Sequence, residues 1–199
     1  MKKIILTALA LVTLSAVNAQ TKVAKKTSDS KDVSFGLKAG LNVSNFTGDV
    51  SDNKSKIGFQ VGGFVDIKVS DKFYVQPELI YTSLGAKDDS FGTTISANLD
   101  YLAIPVMAKY YVSDEFSLEA GPQIGFLLSA KAKANGNSVD IKDVFQSTDF
   151  GINLGVGFDF TENLSAGVRY TVGISNIVKD SGDDKVQNSN LALALAYKF

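Results

Sequence analysis

The 199-residue sequence contains no cysteine, no histidine and no tryptophan, and only three prolines. Without cysteine and histidine there can be no disulfide, no haem ligation by these residues and no Cys/His zinc site, and the commonest enzymatic nucleophiles and general bases are missing. We therefore expect no enzymatic activity, no metal site and no cofactor. The 20 Lys and Arg nearly balance the 21 Asp and Glu, which argues against a nucleic-acid-binding protein. Glycine, phenylalanine and tyrosine are plentiful instead, a composition that favours β-structure.

The first 19 residues have the features of a secretory signal peptide. Lys2 and Lys3 precede an apolar stretch from Ile4 to Val17, and Val17-Asn18-Ala19 forms a small-x-small cleavage pattern. A transmembrane helix requires roughly 18 or more apolar residues, and this stretch is shorter, so we predict a cleaved signal peptide over 1–19 rather than an anchor. Residues 20–32 are polar and show no periodicity, and we predict a flexible polar leader there.

From Val33 to Phe199 apolar and polar residues alternate with a period of two, which predicts β-strands. We expect about eight strands of roughly ten residues each in one domain over 33–199. Near Tyr101 the alternation changes phase, because Leu99 and Tyr101 are out of step with Leu102 and the apolar residues after it; this predicts a β-bulge.

All three prolines, Pro77, Pro105 and Pro122, fall inside predicted strands. Each removes a hydrogen bond from the ladder, so we expect them at bulges.

The predicted connections are alternately short and long. The short ones, Val69–Phe73, Val112–Phe116 and Phe160–Leu164, share the pattern apolar, Ser or Thr, acid, any residue, apolar. Long polar segments lie between them, at about 44–56, 85–96, 129–148 and 176–188. Short turns at one end and long loops at the other are typical of outer-membrane barrels, in which the short turns face the periplasm.

The two faces of the strands differ in size and charge. One carries large apolar residues, and the other carries small residues together with nearly all the strand charges. Because the interior of an eight-stranded barrel is only just wide enough for side chains to fill, the small face must point inward. On the order of 40 apolar side chains then point outward. Exposing each of them to water would cost about 1.5–3 kcal/mol, and the total cost exceeds the stability of a typical fold, which is about 5–15 kcal/mol. We therefore predict that this face contacts lipid, and that closure of the barrel pairs the backbone groups.

Aromatic residues concentrate at both ends of the apolar band, as expected at the level of lipid headgroups. Phe73, Tyr110, Phe116, Phe158, Phe160, Tyr197 and Phe199 lie beside the short turns, and Tyr81, Phe150 and Tyr170 lie near the long loops.

The chain from Val33 to Phe199 resembles the PorT-like outer-membrane β-barrel family, a porin family common in Bacteroidetes, and more distantly the eight-stranded OmpA/OmpX type. The matching segments are Phe35–Asn42 (FGLKAGLN), Val75–Leu79 (VQPEL), Tyr101–Val106 (YLAIPV), Ala120–Gln123 (AGPQ) and Phe150–Gly157 (FGINLGVG). The resemblance implies an all-β fold, an eight-stranded antiparallel up-and-down transmembrane barrel. It also implies that Tyr197 and Phe199 are the signal read by the barrel-assembly machinery. The resemblance does not predict a particular molecular activity.

The charged residues of the inward face form the candidate site, an interior polar network. They are Lys38, Asp66, Lys68, Glu78, Lys109, Glu119, Asp159, Arg169 and Lys198. A tight turn at Ser113–Glu115 would place Lys109 opposite Glu119, so we predict a buried ion pair there. Arg169 should meet Glu78 or Asp66, because a buried guanidinium requires a carboxylate partner. The network could be a gate or ion path, or a plug; the narrow interior favours the plug.

The loops carry acid groups whose spacing fits no calcium-binding loop, and we interpret them as solvated charge rather than as a metal site. They are Asp49 and Asp52, Asp88 and Asp89, and Asp180, Asp183 and Asp184.

The sequence as a whole predicts a protein of the Gram-negative outer membrane with a structural or interaction role in the cell envelope. The alternatives are a narrow porin for ions or small solutes and a soluble lipocalin-like carrier, which would need its apolar face inward. The expected partners are outer-membrane lipid and lipopolysaccharide, the barrel-assembly machinery and an envelope protein bound by the outer loops. We expect a monomer.

Overall fold

The computed structural model describes residues 33–49, 53–89 and 94–199. The predicted signal peptide and leader lie outside the described residues. Within these ranges the strands are β1 (Val33–Gly48), β2 (Lys54–Lys68), β3 (Phe73–Asp88), β4 (Ile95–Tyr111), β5 (Phe116–Ala134), β6 (Asn137–Asp140), β7 (Thr148–Asp159), β8 (Leu164–Gly173) and β9 (Val186–Lys198), with a 3₁₀ turn at Lys142–Val144. No helix in the described ranges is long and apolar enough to cross a membrane.

The eight long strands close into an antiparallel barrel, as predicted. Neighbouring strands pair in the order β4-β3-β2-β1-β9-β8-β7-β5, and β4 pairs with β5 to complete the ring. The first and last strands are neighbours, and Gly36 pairs with Lys198 where β1 meets β9. The four-residue β6 folds back on the end of β5 and takes no place in the ring.

The two ends of the barrel differ, as the connections predict. The turns 69–72, 112–115 and 160–163 lie at one end, which we call the turn end. In each, the backbone N–H of the first residue donates a 2.9 Å hydrogen bond to the carbonyl of the residue that follows the turn. The strand ends at Gly48, Lys54, Asp88 and Ile95 and the connections 135–147 and 174–185 lie at the other end, which we call the loop end.

The apolar face of the strands points outward. Phe35, Phe59 and Leu193 expose 58%, 50% and 60% of their surface, whereas Asn42 and Ala192 on the opposite face are buried. This orientation is the reverse of the one that a lipocalin-like carrier needs, because such a carrier encloses its apolar residues.

Some strands are longer than expected, at up to 19 residues in β5. The predicted loops begin at about residues 44, 85 and 129, but the strands continue to Gly48, Asp88 and Ala134. Backbone pairing extends beyond the apolar band, where the outward residues become polar and large apolar side chains no longer mark the strand.

The prediction that the prolines mark bulges is wrong. Pro77 pairs with Val106, Pro105 with Gln123 and Pro122 with Ile152, each without a register shift. Pairing is interrupted only toward the strand that precedes each proline, and the same register resumes beyond the gap. In an antiparallel sheet each residue directs its N–H toward only one of its two neighbouring strands. Because proline lacks that N–H, it weakens the ladder with one neighbour and leaves the ladder with the other intact.

The predicted irregularity near Tyr101 is present, but its cause differs. Asp100 pairs with Ser129 and Tyr101 pairs with Leu127, so the extra, unpaired residue is Leu128 of β5. Strand β4 itself keeps its alternation, because Leu99, Tyr101 and Ala103 are all buried on the inward face. The change of phase in the sequence therefore marks large apolar side chains inside the barrel.

Candidate functional site

Arg169 lies at the centre of a network of ion pairs that crosses the lumen. Its guanidinium donates to both carboxylate oxygens of Glu78, at 2.8 and 2.9 Å, and to Oε2 of Glu119 at 2.9 Å. β8 and β3 are diametrically opposite in the ring, so the bidentate pair spans the lumen. The partner is thus Glu78, one of the two predicted carboxylates, and not Asp66.

Two lysines complete the network. Lys38 Nζ lies 2.7 Å from Oε1 of Glu78. Lys109 stands opposite Glu119 in the β4–β5 register, as the turn predicts, with its Nζ 3.8 Å from Glu119 and 3.9 Å from Asp66. These distances show a tight cluster around Arg169 and looser contacts around Lys109.

The network is charge-balanced and buried. It contains three cations, Lys38, Lys109 and Arg169, and three anions, Asp66, Glu78 and Glu119, and Asp66 and Glu78 each expose only 3% of their surface. A buried charge is tolerated when it is paired and hydrogen-bonded, so each group depends on its neighbours for its ionised state.

The other three predicted residues lie nearer the turn end. Asp159 accepts a 2.8 Å hydrogen bond from the Tyr111 hydroxyl, and Lys68 contacts Asp71 of the adjacent turn at 3.0 Å. Lys198 lines the turn-side part of the lumen. Eight of the nine predicted residues therefore line the lumen or bond across it, whereas Lys68 reaches the adjacent turn, and only six of the nine belong to the central network.

The network divides the space inside the barrel. A turn-side cavity of about 40 Å³ and a loop-side cavity of about 30 Å³ are both lined by Arg169, Gln60 and Ala192. The guanidinium and its two carboxylates thus stand between the two spaces.

Sequence reasoning missed a ladder of uncharged polar groups beside the loop-side cavity. Thr171 donates to Asn153 Oδ1 at 2.6 Å, and Asn153 donates to Gln123 at 3.3 Å. Closer to the loop end, the buried carboxylate of Asp149 accepts hydrogen bonds from Asn188 at 2.7 Å and from Ser175 at 2.9 Å. The inward positions of Asn153 on β7, Thr171 on β8 and Asn188 on β9 were a usable signal, but these residues were missed because only charged residues were considered. Asp149 was missed although it is charged.

The loop end of the lumen is closed by apolar side chains, contrary to the prediction of a uniformly small and polar interior. The cluster, which we call the apolar closure, comprises Leu84, Leu99, Tyr101, Leu127, Ala130, Phe145 and Ile177. Phe145 and Ile177 come from the two longest loops, which pair where the N–H of Gln146 donates to the Ile177 carbonyl at 2.8 Å. The out-of-phase pair Leu99 and Tyr101 was its one sequence signal.

Two of the loop acids that were considered for metal binding have separate partners. Asp49 accepts a 2.8 Å hydrogen bond from the backbone N–H of Lys185, and Asp89 pairs with Lys54, whose hydrogen bond lowers the pKa of that exposed carboxyl below its usual value. Asp52 lies outside the described residues. No group of three or more potential metal ligands occurs in the described part of the chain.

A closed eight-stranded barrel with an apolar outer surface and a charge-balanced interior defines an outer-membrane β-barrel protein. The chain belongs to the family of the outer membrane protein beta-barrel domain, whose model matches residues 18–179. This membership indicates location in the outer membrane. No curated protein matches the chain.

Two solved structures show the same fold. Ail, the attachment invasion locus protein of Yersinia pestis, solved in complex with the heparin analogue sucrose octasulfate, is 18% identical with a TM-score of 0.53, over 84% of this chain and 99% of that one. Neisserial surface protein A is 14% identical with a TM-score of 0.56, over 83% of this chain and 97% of that one. At these identities the likeness extends to the fold alone.

Proposed function

We propose that the protein is a non-conducting outer-membrane barrel with a structural or interaction role in the cell envelope. The observation that carries this proposal is the double obstruction of the lumen. Arg169 joins Glu78 and Glu119 across its middle, and the apolar closure fills its loop end. A solute would have to break buried ion pairs and displace packed apolar side chains to pass.

With the lumen closed, the protein acts through its outer surfaces, which are the loops and the apolar band. We propose that the loops face the cell exterior and bind an envelope or surface partner, and that the apolar band contacts outer-membrane lipid and lipopolysaccharide. We also propose that the barrel-assembly machinery recognises the end of the chain. The outward rings of Tyr197 and Phe199, with centroids 5.5 Å apart, support this proposal. We further propose a cleaved signal peptide, a monomeric state, no enzymatic activity and, on the sequence motifs, a PorT-like member of Bacteroidetes.

Planar-bilayer recording of the refolded mature chain tests the closed lumen. We expect the wild type to give no conductance steps above the bilayer background. A variant that opens only the apolar closure, Phe145→Ser/Ile177→Ser, should also remain silent, because the ion-pair barrier persists. Adding Arg169→Ser/Glu78→Ser removes one cation and one anion together, and this fourfold variant should conduct.

The competing function is a narrow pore for ions or small solutes, which the polar lining of both cavities favours. Wild-type conductance steps that disappear when the loops are blocked would establish that function and overturn our proposal. As a folding control, each variant should migrate faster in an unheated gel than after boiling. A variant that passes this control and gives no conductance is closed and not misfolded.

A further inference from the structure

Three lysines form a row on the outer wall of the barrel at the loop end. Lys87 of β3 pairs with Ser96 of β4, which in turn pairs with Lys133 of β5. Lys131 lies two residues below Lys133, opposite Asn98. We call Lys87, Lys131 and Lys133 the lysine row.

The row faces away from the lumen. The residues that alternate with it, among them Ala86 and Ala130, are buried on the inward side. Successive side chains of a strand point to opposite faces, so the three lysines point outward, and all three are exposed.

These ammonium groups have no acidic partner within ion-pair distance. Among the described residues, none of the three lies within 4.0 Å of a carboxylate, whereas the neighbouring Lys54 pairs with Asp89. The nearby outward acid Asp100 is hydrogen-bonded to the Tyr81 hydroxyl. Asp140 stands opposite Lys131 in the β5–β6 register, and Asp89 is close enough to Lys87 to attract it. The row therefore carries positive charge that these acids reduce but do not hold in ion pairs.

The row lies just beyond the apolar band. Leu128 of β5 is 47% exposed on the outer wall, and Lys131 follows it by three residues, or about 10 Å along a strand. On the neighbouring strands, the contact between Phe59 and Tyr81 places aromatic rings on the same wall. Lys87 and Lys133 are two strand spacings apart, about 10 Å, so one phosphorylated headgroup can reach both.

We propose that the lysine row binds the phosphate groups of a glycolipid anchored in the outer leaflet. The proposal rests on the outer-membrane location and on the outward direction of the loops. A lipid-anchored phosphate is favoured over a free one, because apolar side chains below the row hold the acyl chains while the flexible lysine side chains reach the headgroup. The connection 174–185 on the other side carries Asp180, Asp183 and Asp184 against Lys179 and Lys185, so its net charge is negative and it attracts phosphate less than the row does.

The test compares binding of diphosphoryl lipid A with that of its dephosphorylated form by the full mature chain in zwitterionic micelles. Lipid retention is measured by native mass spectrometry as the lipid is titrated. The variant Lys87→Gln/Lys131→Gln/Lys133→Gln should raise the half-saturating concentration of lipid A about tenfold or more, because three ammonium–phosphate contacts are lost. The matched control, Lys72→Gln/Lys179→Gln/Lys185→Gln, removes the same charge at exposed positions away from the row and should change it less than about twofold.

Equal effects of the two triple variants, or equal retention of the dephosphorylated lipid, would overturn the proposal. Competition by millimolar inorganic phosphate would assign the row to free phosphate, and competition by a heparin oligosaccharide would assign it to a soluble polyanion; either result also rejects a lipid site. Because conductance is not measured here, failure of this site and failure of the closed-lumen function are separate outcomes.

Discussion

At the scale of the residue, Arg169 is the group on which the interior depends most. Replacing it with alanine leaves three buried carboxylates facing two lysines, so we expect the free energy of unfolding to fall by about 3–5 kcal/mol. The measurement is urea unfolding of the refolded chain in lipid vesicles. The double variant Arg169→Ala/Glu78→Ala restores the charge balance and should be more stable than Arg169→Ala alone. A single variant that unfolds at the wild-type urea concentration would show that the network contributes no stability.

Individual residues also show what the sequence could and could not predict. Lys109 opposite Glu119 follows from one tight turn and the antiparallel register, both of which are local. The choice of Glu78 over Asp66 by Arg169 depends on which strands lie across the ring, and period-two alternation carries no information on that. Phe145 and Ile177 were missed for a similar reason, because loop residues have no periodicity to indicate burial.

At the scale of the element, the seam between β1 and β9 depends on close approach of the two strands. A Cβ added at Gly40 would overlap the Leu193 carbonyl oxygen and lie 2.7 Å from the Ala194 Cα, which are backbone atoms that cannot move aside. We expect Gly40→Ala to destabilise the barrel by about 1–3 kcal/mol, measured by urea unfolding in vesicles.

Gly63 is the matched control, because its nearest neighbour would be the Gly36 carbonyl at 3.5 Å. Gly63→Ala should change the free energy of unfolding by less than about 0.5 kcal/mol. Equal losses in the two variants would indicate that strand propensity, and not the packing of the seam, determines the effect.

The elements also explain why the strands could be predicted and their irregularities could not. Alternation reports which face is apolar, and it located all eight barrel strands. The prolines were assigned to bulges because a missing N–H was treated as a defect of the whole strand. In the barrel the defect concerns one of two ladders, and the other ladder preserves the register at Pro77, Pro105 and Pro122.

At the scale of the whole molecule, the decisive property is an apolar exterior around a polar, charge-balanced interior. Such a chain should be insoluble in plain buffer and should fold in detergent or lipid. An unheated sample should migrate faster on a denaturing gel than a boiled one, because the closed barrel resists the detergent.

Leu193 exposes its side chain on the outer wall, so Leu193→Lys places a charge in the bilayer at a cost of about 2–4 kcal/mol at the midplane and should weaken the fast band. Leu193→Val keeps the surface apolar and should retain it. A wild-type chain that stays monodisperse without detergent would contradict the outward orientation.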